Sequence, residues 1–361
     1  MLFDIDIART CTDEKRGMKS HFDFINNSSL EEHHKIRMLL NKCFEEYNQL
    51  AQNEIRIRLS ENYDESFYST SFELLVAHLF RTLGCSLEEH PNVEGTDKHP
   101  DFLVTLRSGE SFFLELVTVG EYDDWSVEEF RRFIASFRDD NYINIRTTNG
   151  RDLHHNEYIK LRKDIKAWWH THKKIAGSET TWVSSDGSFK TELEILHQSA
   201  VGISSTIVPV HFHTKLLDSL KKKANRYGEF DRPYIIATTF RPSTFSAGLQ
   251  FMQDLLVQSL YGEGLTLNHK TKRYEGASSL WDTHRTKPKY KNVSGILFFD
   301  ELTPYRALEP FKYCLFLNDD ANHPLLDCFK EVFSFYYEKD DLTYKREGGS
   351  IAQRFRKSLE E

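Results

Sequence analysis

Cysteine is sparse and scattered in this 361-residue chain: Cys11, Cys43, Cys85, Cys314 and Cys328, with no CxxC pair. An odd number spread so widely supports neither a disulfide framework nor a zinc ribbon. Reduced thiols in a cytoplasmic protein are the simpler account. Long apolar runs are missing too, since none approaches the roughly 18 residues of a membrane span. The opening MLFDIDIARTCTDEKR sets acids inside its short apolar stretch and has no small-residue cleavage site, so no signal peptide is expected. Internal repeats, low-complexity tracts, GxGxxG, P-loop, GxSxG and HExxH patterns do not occur. Their absence lowers dinucleotide-binding, NTPase, serine-hydrolase and zincin functions.

An overall positive charge is lacking as well. The net charge of −8 argues against a protein that coats nucleic acid nonspecifically, because phosphate contacts need Lys and Arg. Basic segments exist locally, at Lys221–Lys223 with Arg226, at 269–273 and at 285–291. Each is equally well explained as a solvated face. What the chain has in quantity is aromatic surface, with 27 Phe and 16 Tyr, enough to exclude wholesale disorder. Its length suits one large α/β domain with insertions, or two domains.

Hydrophobic periodicity predicts a charged amphipathic helix over 29–59, capped by Ser28 or Ser29, and a more apolar helix over about 67–83 that stops at Gly84. Strand patterns follow at Ser86–Glu89, Asp101–Leu106 and Ser111–Val119, the last two joined by the turn-forming Arg107–Ser108–Gly109–Glu110. Residues 120–200 read as an elaboration, with a helix near 158–172 and a hairpin around Asp186–Gly187. A strand at Val201–Val210, a helix over about 212–227 ending at Gly228, and a buried strand at Tyr234–Phe240 come next. A helix near 245–262, a strand at Val293–Phe299 and a helical, charged tail over 325–361 complete the pattern. The expected class is α/β (α+β), a mixed central sheet flanked by helices. The domain reading is an N-terminal helical extension (1–65), a core (66–325) with its insertion at about 120–200, and a C-terminal helical tail (326–361).

Three acids sit where acids are disfavoured. Glu115 lies inside FFLELVTV, on one strand face with Phe113 and Val117, where a carboxylate is costly unless a cation or donors compensate. Asp101 opens the preceding strand. In an antiparallel pair with a short turn, it approaches Glu115. Two carboxylates brought together repel, and Mg²⁺ or Mn²⁺ is the usual reason a protein tolerates them. Glu73 falls at the edge of the apolar stripe of its helix, beside Phe80, and is the third candidate. His211 with His213 and His170 with His172 have the spacing of a zinc pair only if they lie on strands, and no third ligand is evident. His99 is a weaker candidate for phosphate contact or proton donation.

The order SFELLVAHLFRTLGC (71–85), HPDFLV (99–104), FFLELVTV (112–119) resembles the core of PD-(D/E)xK nucleases, a restriction-endonuclease-like fold. KKKANRYGEFDRPYIIA (221–237) and NDDANHPL (318–325) are similar to an uncharacterised bacterial branch of that superfamily. The resemblance implies a metal-dependent endonuclease, with Asp101, Glu115 and Glu73 as metal ligands for Mg²⁺ or Mn²⁺. It also implies DNA as the partner and a role in bacterial defence. One departure stands out: where Glu-x-Lys expects lysine, this chain has Val117. A lysine displaced to the 212–227 helix is one answer. There Lys223 and Lys221 border the stripe Leu216, Leu217, Leu220, Ala224, Tyr227, while Lys222 points outward. A catalytically inactive fold that binds nucleic acid or a partner is the other. A third reading makes residues 1–60 and the tail a docking surface for a protein partner or a second copy.

Overall fold

The apolar period over 29–59 is interrupted by one residue with a side-chain cap. In the computed structural model Asn48 accepts hydrogen bonds from the amides of Leu50 and Ala51, at 3.0 and 3.1 Å. The expected single helix is therefore two, α2 (Glu31–Glu45) and α3 (Gln49–Ser60), after a short α1 (His21–Asn27). Leu30, rather than Ser28 or Ser29, stands at the start of α2, without a side-chain cap. The structure describes residues 1–12, 20–61, 64–120, 139–150, 155–197, 212–241, 289–309 and 311–325, with shorter pieces of the remainder.

The next helix, α4 (Asp64–Thr82), is nearly all buried along its second half. It stops at Gly84, whose φ of +81° is left-handed and whose missing Cβ leaves room for the Arg107 guanidinium. Then come β1 (Ser86–Glu89), β2 (Phe102–Thr105) and β3 (Ser111–Val119) as an antiparallel meander. The β2–β3 turn closes with Leu106 N donating to Glu110 O at 2.8 Å, and Gly109 takes φ +92°.

Two compact units divide the chain: Met1–Cys11, Ile25–Glu121 and His211–Glu361 form one, Thr12–Phe24 and Tyr122–Val210 the other. The second contains β4 (Asn141–Gly150), α5 (His155–His172), β5 (Glu179–Val183) and β6 (Phe189–His197). Its strands pair antiparallel in the order β4-β6-β5, with the expected hairpin at Asp186–Gly187. The apolar face of α5 (Tyr158, Leu161, Ile165, Trp169) packs with Phe189, Leu193 and Ile195 as this unit's own core.

The first unit continues with α6 (Phe212–Ala224), β7 (Tyr234–Phe240), the short pair β8 (Leu265–Asn268) and β9 (Arg273–Gly276), β10 (Gly295–Phe299) and β11 (Tyr313–Leu317). The expected strand at 201–210 and most of the helix near 245–262 lie outside the described residues. The tail differs from expectation: Phe335–Glu338 (β12) and Thr343–Arg346 (β13) are strands, not helix. Their aromatic and Thr side chains suit a pleated surface better than the charges around them suggest. The eight-stranded mixed sheet runs β1-β2-β3-β7-β10-β11-β12-β13, with β3, β7 and β10 parallel.

Opposite faces of β3 are covered by different helices. Phe112 meets Phe80 of α4 at a ring separation of 5.8 Å. Phe113 belongs to the core formed with Leu216, Leu217 and Leu220 of α6. Both faces of β3 are thus apolar, and Phe112–Leu116 is buried throughout. Glu115, on the Phe113 face, looks toward α6.

Candidate active site

Phe102 pairs with Leu114 across β2 and β3. One step earlier, Asp101 comes beside Glu115, and its Oδ2 accepts the Leu116 amide at 2.6 Å. The two acids expected to approach each other are therefore neighbours. Burial pushes the Asp101 carboxyl up to about 7, and the charge of Glu115 adds to the effect; Lys223 opposes it.

Glu115 is 0% exposed. A carboxylate so placed requires compensation, and three groups from the end of α6 supply it. Lys223 Nζ donates to Oε1, Arg226 donates to the same oxygen at 3.1 Å, and the Tyr227 hydroxyl donates to Oε2 at 2.5 Å. Tyr227 also lies 2.9 Å from the His99 carbonyl. A hydroxyl has one proton to give, and the ionised carboxylate is the stronger acceptor. Burial, then Glu115, pushes the Tyr227 phenol well above its ordinary range, so it stays a donor.

The location follows from topology. β7 lies parallel to β3 with Ile236 beside Glu115, and the chain reaches β7 by way of α6 and the turn at Gly228, φ +83°. Lys223 sits in the last turn of α6, and Arg226 and Tyr227 occupy the bend that follows. The connection that leads into β7 therefore delivers all three to the strand beside it. Lys221, half-buried on the same helix, is not among the partners of Glu115.

Glu73, the third candidate, is engaged by an arginine. It is buried on α4, and its Oε2 accepts from Arg58 of α3 at 2.8 Å. Its charge adds to the rise at Asp101, but its ion pair turns it toward Arg58. His99 Nδ1 bonds to the Pro91 carbonyl at 3.2 Å, a structural link. His170 and His172 lie on α5, where two-residue spacing points side chains apart. His172 bonds to Trp168 O at 3.0 Å, and His211 lies outside the described residues. Cys11, Cys43, Cys85 and Cys314 are free thiols.

Arg58, Arg226 and Tyr227 were not singled out as site residues by sequence. Tyr227 had a usable signal. A tyrosine in the buried stripe of a helix needs a partner for its hydroxyl, and the nearest strand carried a stranded carboxylate. Arg226 stood in the basic run, where nothing separates a paired arginine from a solvated one.

Among the described residues no group of three or more His, Cys, Asp or Glu is gathered as a metal-ligand set. No helix among them is long and apolar enough to cross a membrane. Comparisons with family models, with curated proteins and with solved structures find no match.

Proposed function

We propose that the chain hydrolyses phosphodiester bonds, with DNA as substrate, in a metal-dependent reaction at Asp101 and Glu115. The observation that carries this reading is the ammonium of Lys223 on Glu115, beside Asp101. It provides from α6 the positive charge that Val117 cannot provide from β3.

The donor chemistry fits Mg²⁺ or Mn²⁺. Among the described residues Asp101 accepts from the Leu116 amide alone, on Oδ2, which leaves Oδ1 as a hard oxygen for a cation. Burial first, and then the charge of Glu115, raise its pKa, and a bound cation would oppose both. With Glu73 held by Arg58, two carboxylates rather than three are offered, and such ions keep several waters. When bound, the ion would acidify a water and neutralise charge on the attacked phosphate. The chain's own residues have separate tasks. The β2–β3 pairing fixes the distance between the acids, and the Leu116 amide orients Asp101. Lys223 and Arg226 concentrate positive charge where the phosphate would be attacked. The defence role suggested by the sequence resemblance belongs to this same reading.

One observation favours a second reading. Both oxygens of Glu115 are already held by side chains, as in a site that has become structural. The protein would then bind nucleic acid or a partner without cutting. Incubation with supercoiled, linear and single-stranded DNA and Mg²⁺ or Mn²⁺ separates the two, beside Asp101→Asn and Glu115→Gln variants checked for fold by circular dichroism. Metal-dependent cutting lost in both variants is the expected result. Folded wild-type protein that cuts none of these substrates would favour the binding module.

A further inference from the structure

The exposed face of α5 carries Lys160, Lys163, Lys166 and His170, with Lys174 two residues beyond the helix. At about 100° per residue the four helical positions fall within an arc of roughly 120°. From Lys160 to His170 the rise is about 15 Å. Residues 155–174 hold six Lys and Arg against two acids, Glu157 and Asp164, in a chain whose net charge is −8. Asp164 is turned aside, accepting from the Trp182 indole at 3.0 Å.

Among the described residues of this unit, Arg162 lies over the Phe133 ring and three other cations are spent on acids. Arg146 pairs with Glu179, Lys190 with Glu192, and Lys173 with Asp139 at 3.1 Å. Lys160, Lys163, Lys166 and Lys174 make no ion pair or hydrogen bond among the described residues. Three lysines left unpaired on one helix face, with Lys174 just beyond, cost self-repulsion, and a polyanion would relieve it.

We propose that this outer face of α5 binds the phosphate backbone of nucleic acid, without reading base sequence. Duplex DNA carries one phosphate per 3.4 Å along each strand, so about 15 Å matches roughly four phosphates. A membrane surface fits less well, because an interfacial helix needs a free apolar face and that of α5 is buried in its own core. A protein partner also fits less well, since the centres of such interfaces are poor in lysine and rich in aromatics. The inference rests on the proposed function only for the choice of ligand. It adds a contact outside the Asp101–Glu115 site, on the segment inserted between β3 and α6.

The test is fluorescence anisotropy of the full chain with a labelled short DNA duplex and its single strand, in EDTA, across roughly 50 to 200 mM salt. Lys160→Ala, Lys163→Ala and Lys166→Ala are combined. These exposed positions leave the fold intact, which circular dichroism checks. The triple variant is expected to bind at least about 10-fold more weakly, with a log–log salt slope shallower by about 2.7, at 0.9 per lost contact. No wild-type binding, or an unchanged slope in the triple variant, overturns the proposal. So does equal binding of poly-glutamate or of anionic vesicles, which would point to an acidic protein or a membrane. Because EDTA removes cutting from the assay, failure here leaves the nuclease reading standing, and failure of cutting leaves this one standing.

Discussion

Lys223 and Lys163 are the same side chain on two amphipathic helices, and the structure treats them in opposite ways. Lys223 stands at the border of the buried stripe of α6 and carries its charge down to a fully buried glutamate. Lys163 stands in the middle of the exposed face of α5, with no acid set against it among the described residues. The first is held by a carboxylate that cannot do without it, and the second is free to meet a ligand. The difference lies in the helix face each occupies and in what the opposing strand contains.

The sharpest way to break this comparison is Lys223→Met, which keeps the aliphatic stem and removes the charge. Breaking a buried pair leaves the partner charge uncompensated, at a cost of about 3–5 kcal/mol. Arg226 and Tyr227 remain on Glu115, so the lower end, about 3 kcal/mol, is expected in urea unfolding. Cleavage should fall about 10²–10³-fold, the usual consequence of losing one charge-stabilising donor. A loss under about 0.5 kcal/mol would make Lys223 an ordinary surface lysine.

The acid pair allows a test by pH in metal-free buffer. Asp101 binds its proton more tightly in the folded protein, up to about 7, than its ordinary 3.8 when unfolded. Between those values the folded state holds more protons, so stability declines as pH rises from about 4 to about 7 and is level above. Asp101→Asn should flatten that decline. With Mg²⁺ present the ion should favour the ionised pair, raising the melting temperature most near neutral pH. An Asp101→Asn profile as steep as wild type would place the decline elsewhere.

Tyr227→Phe probes the neutral donor on Glu115. Hydrogen bonds to charged groups contribute about 1.5–3 kcal/mol, so a loss within that range is expected, smaller than at Lys223. An effect near zero would mean that water takes over Oε2.

The parts of this site that sequence revealed share a physical cause. Asp101 and Glu115 interrupt apolar strand patterns, and a conflict between residue type and position is visible without coordinates. Lys223 was legible, with Lys221 as an alternative, because the helical wheel gives a side chain's direction; which lysine reaches the acid depends on how α6 lies across β3. Glu73 was read as a third ligand because it borders the apolar stripe of its helix, but its Arg58 partner comes from the preceding helix, whose packing against α4 the helical wheel does not give. The same limit applies to the fold. The edges of β3 and β7 follow from apolar runs bounded by turn residues. The α2–α3 break hangs on the Asn48 cap within a continuing apolar period. The β12–β13 pair consists of four-residue strands among charges, too short for periodicity to separate from helix.

The smallest expected effect is also the one that tests the comparison from its other side. Lys222 sits between two half-buried lysines on α6 and is exposed. Like Lys163, it has no acid to serve among the described residues, and it lies in a helix's last turn, where a cation gains a few tenths of a kcal/mol from the helix dipole. Lys222→Ala and Lys163→Ala should each change unfolding free energy by less than about 0.5 kcal/mol. They should part company in DNA binding. Lys163→Ala is expected to reduce the salt slope by about 0.9, while Lys222→Ala leaves it unchanged if its role is confined to the helix end. A slope that drops equally for both would mean that phosphate is held near α6 as well. The division between a buried, structural cation set and a free, ligand-facing one would then run through α6 itself, between Lys222 and Lys223.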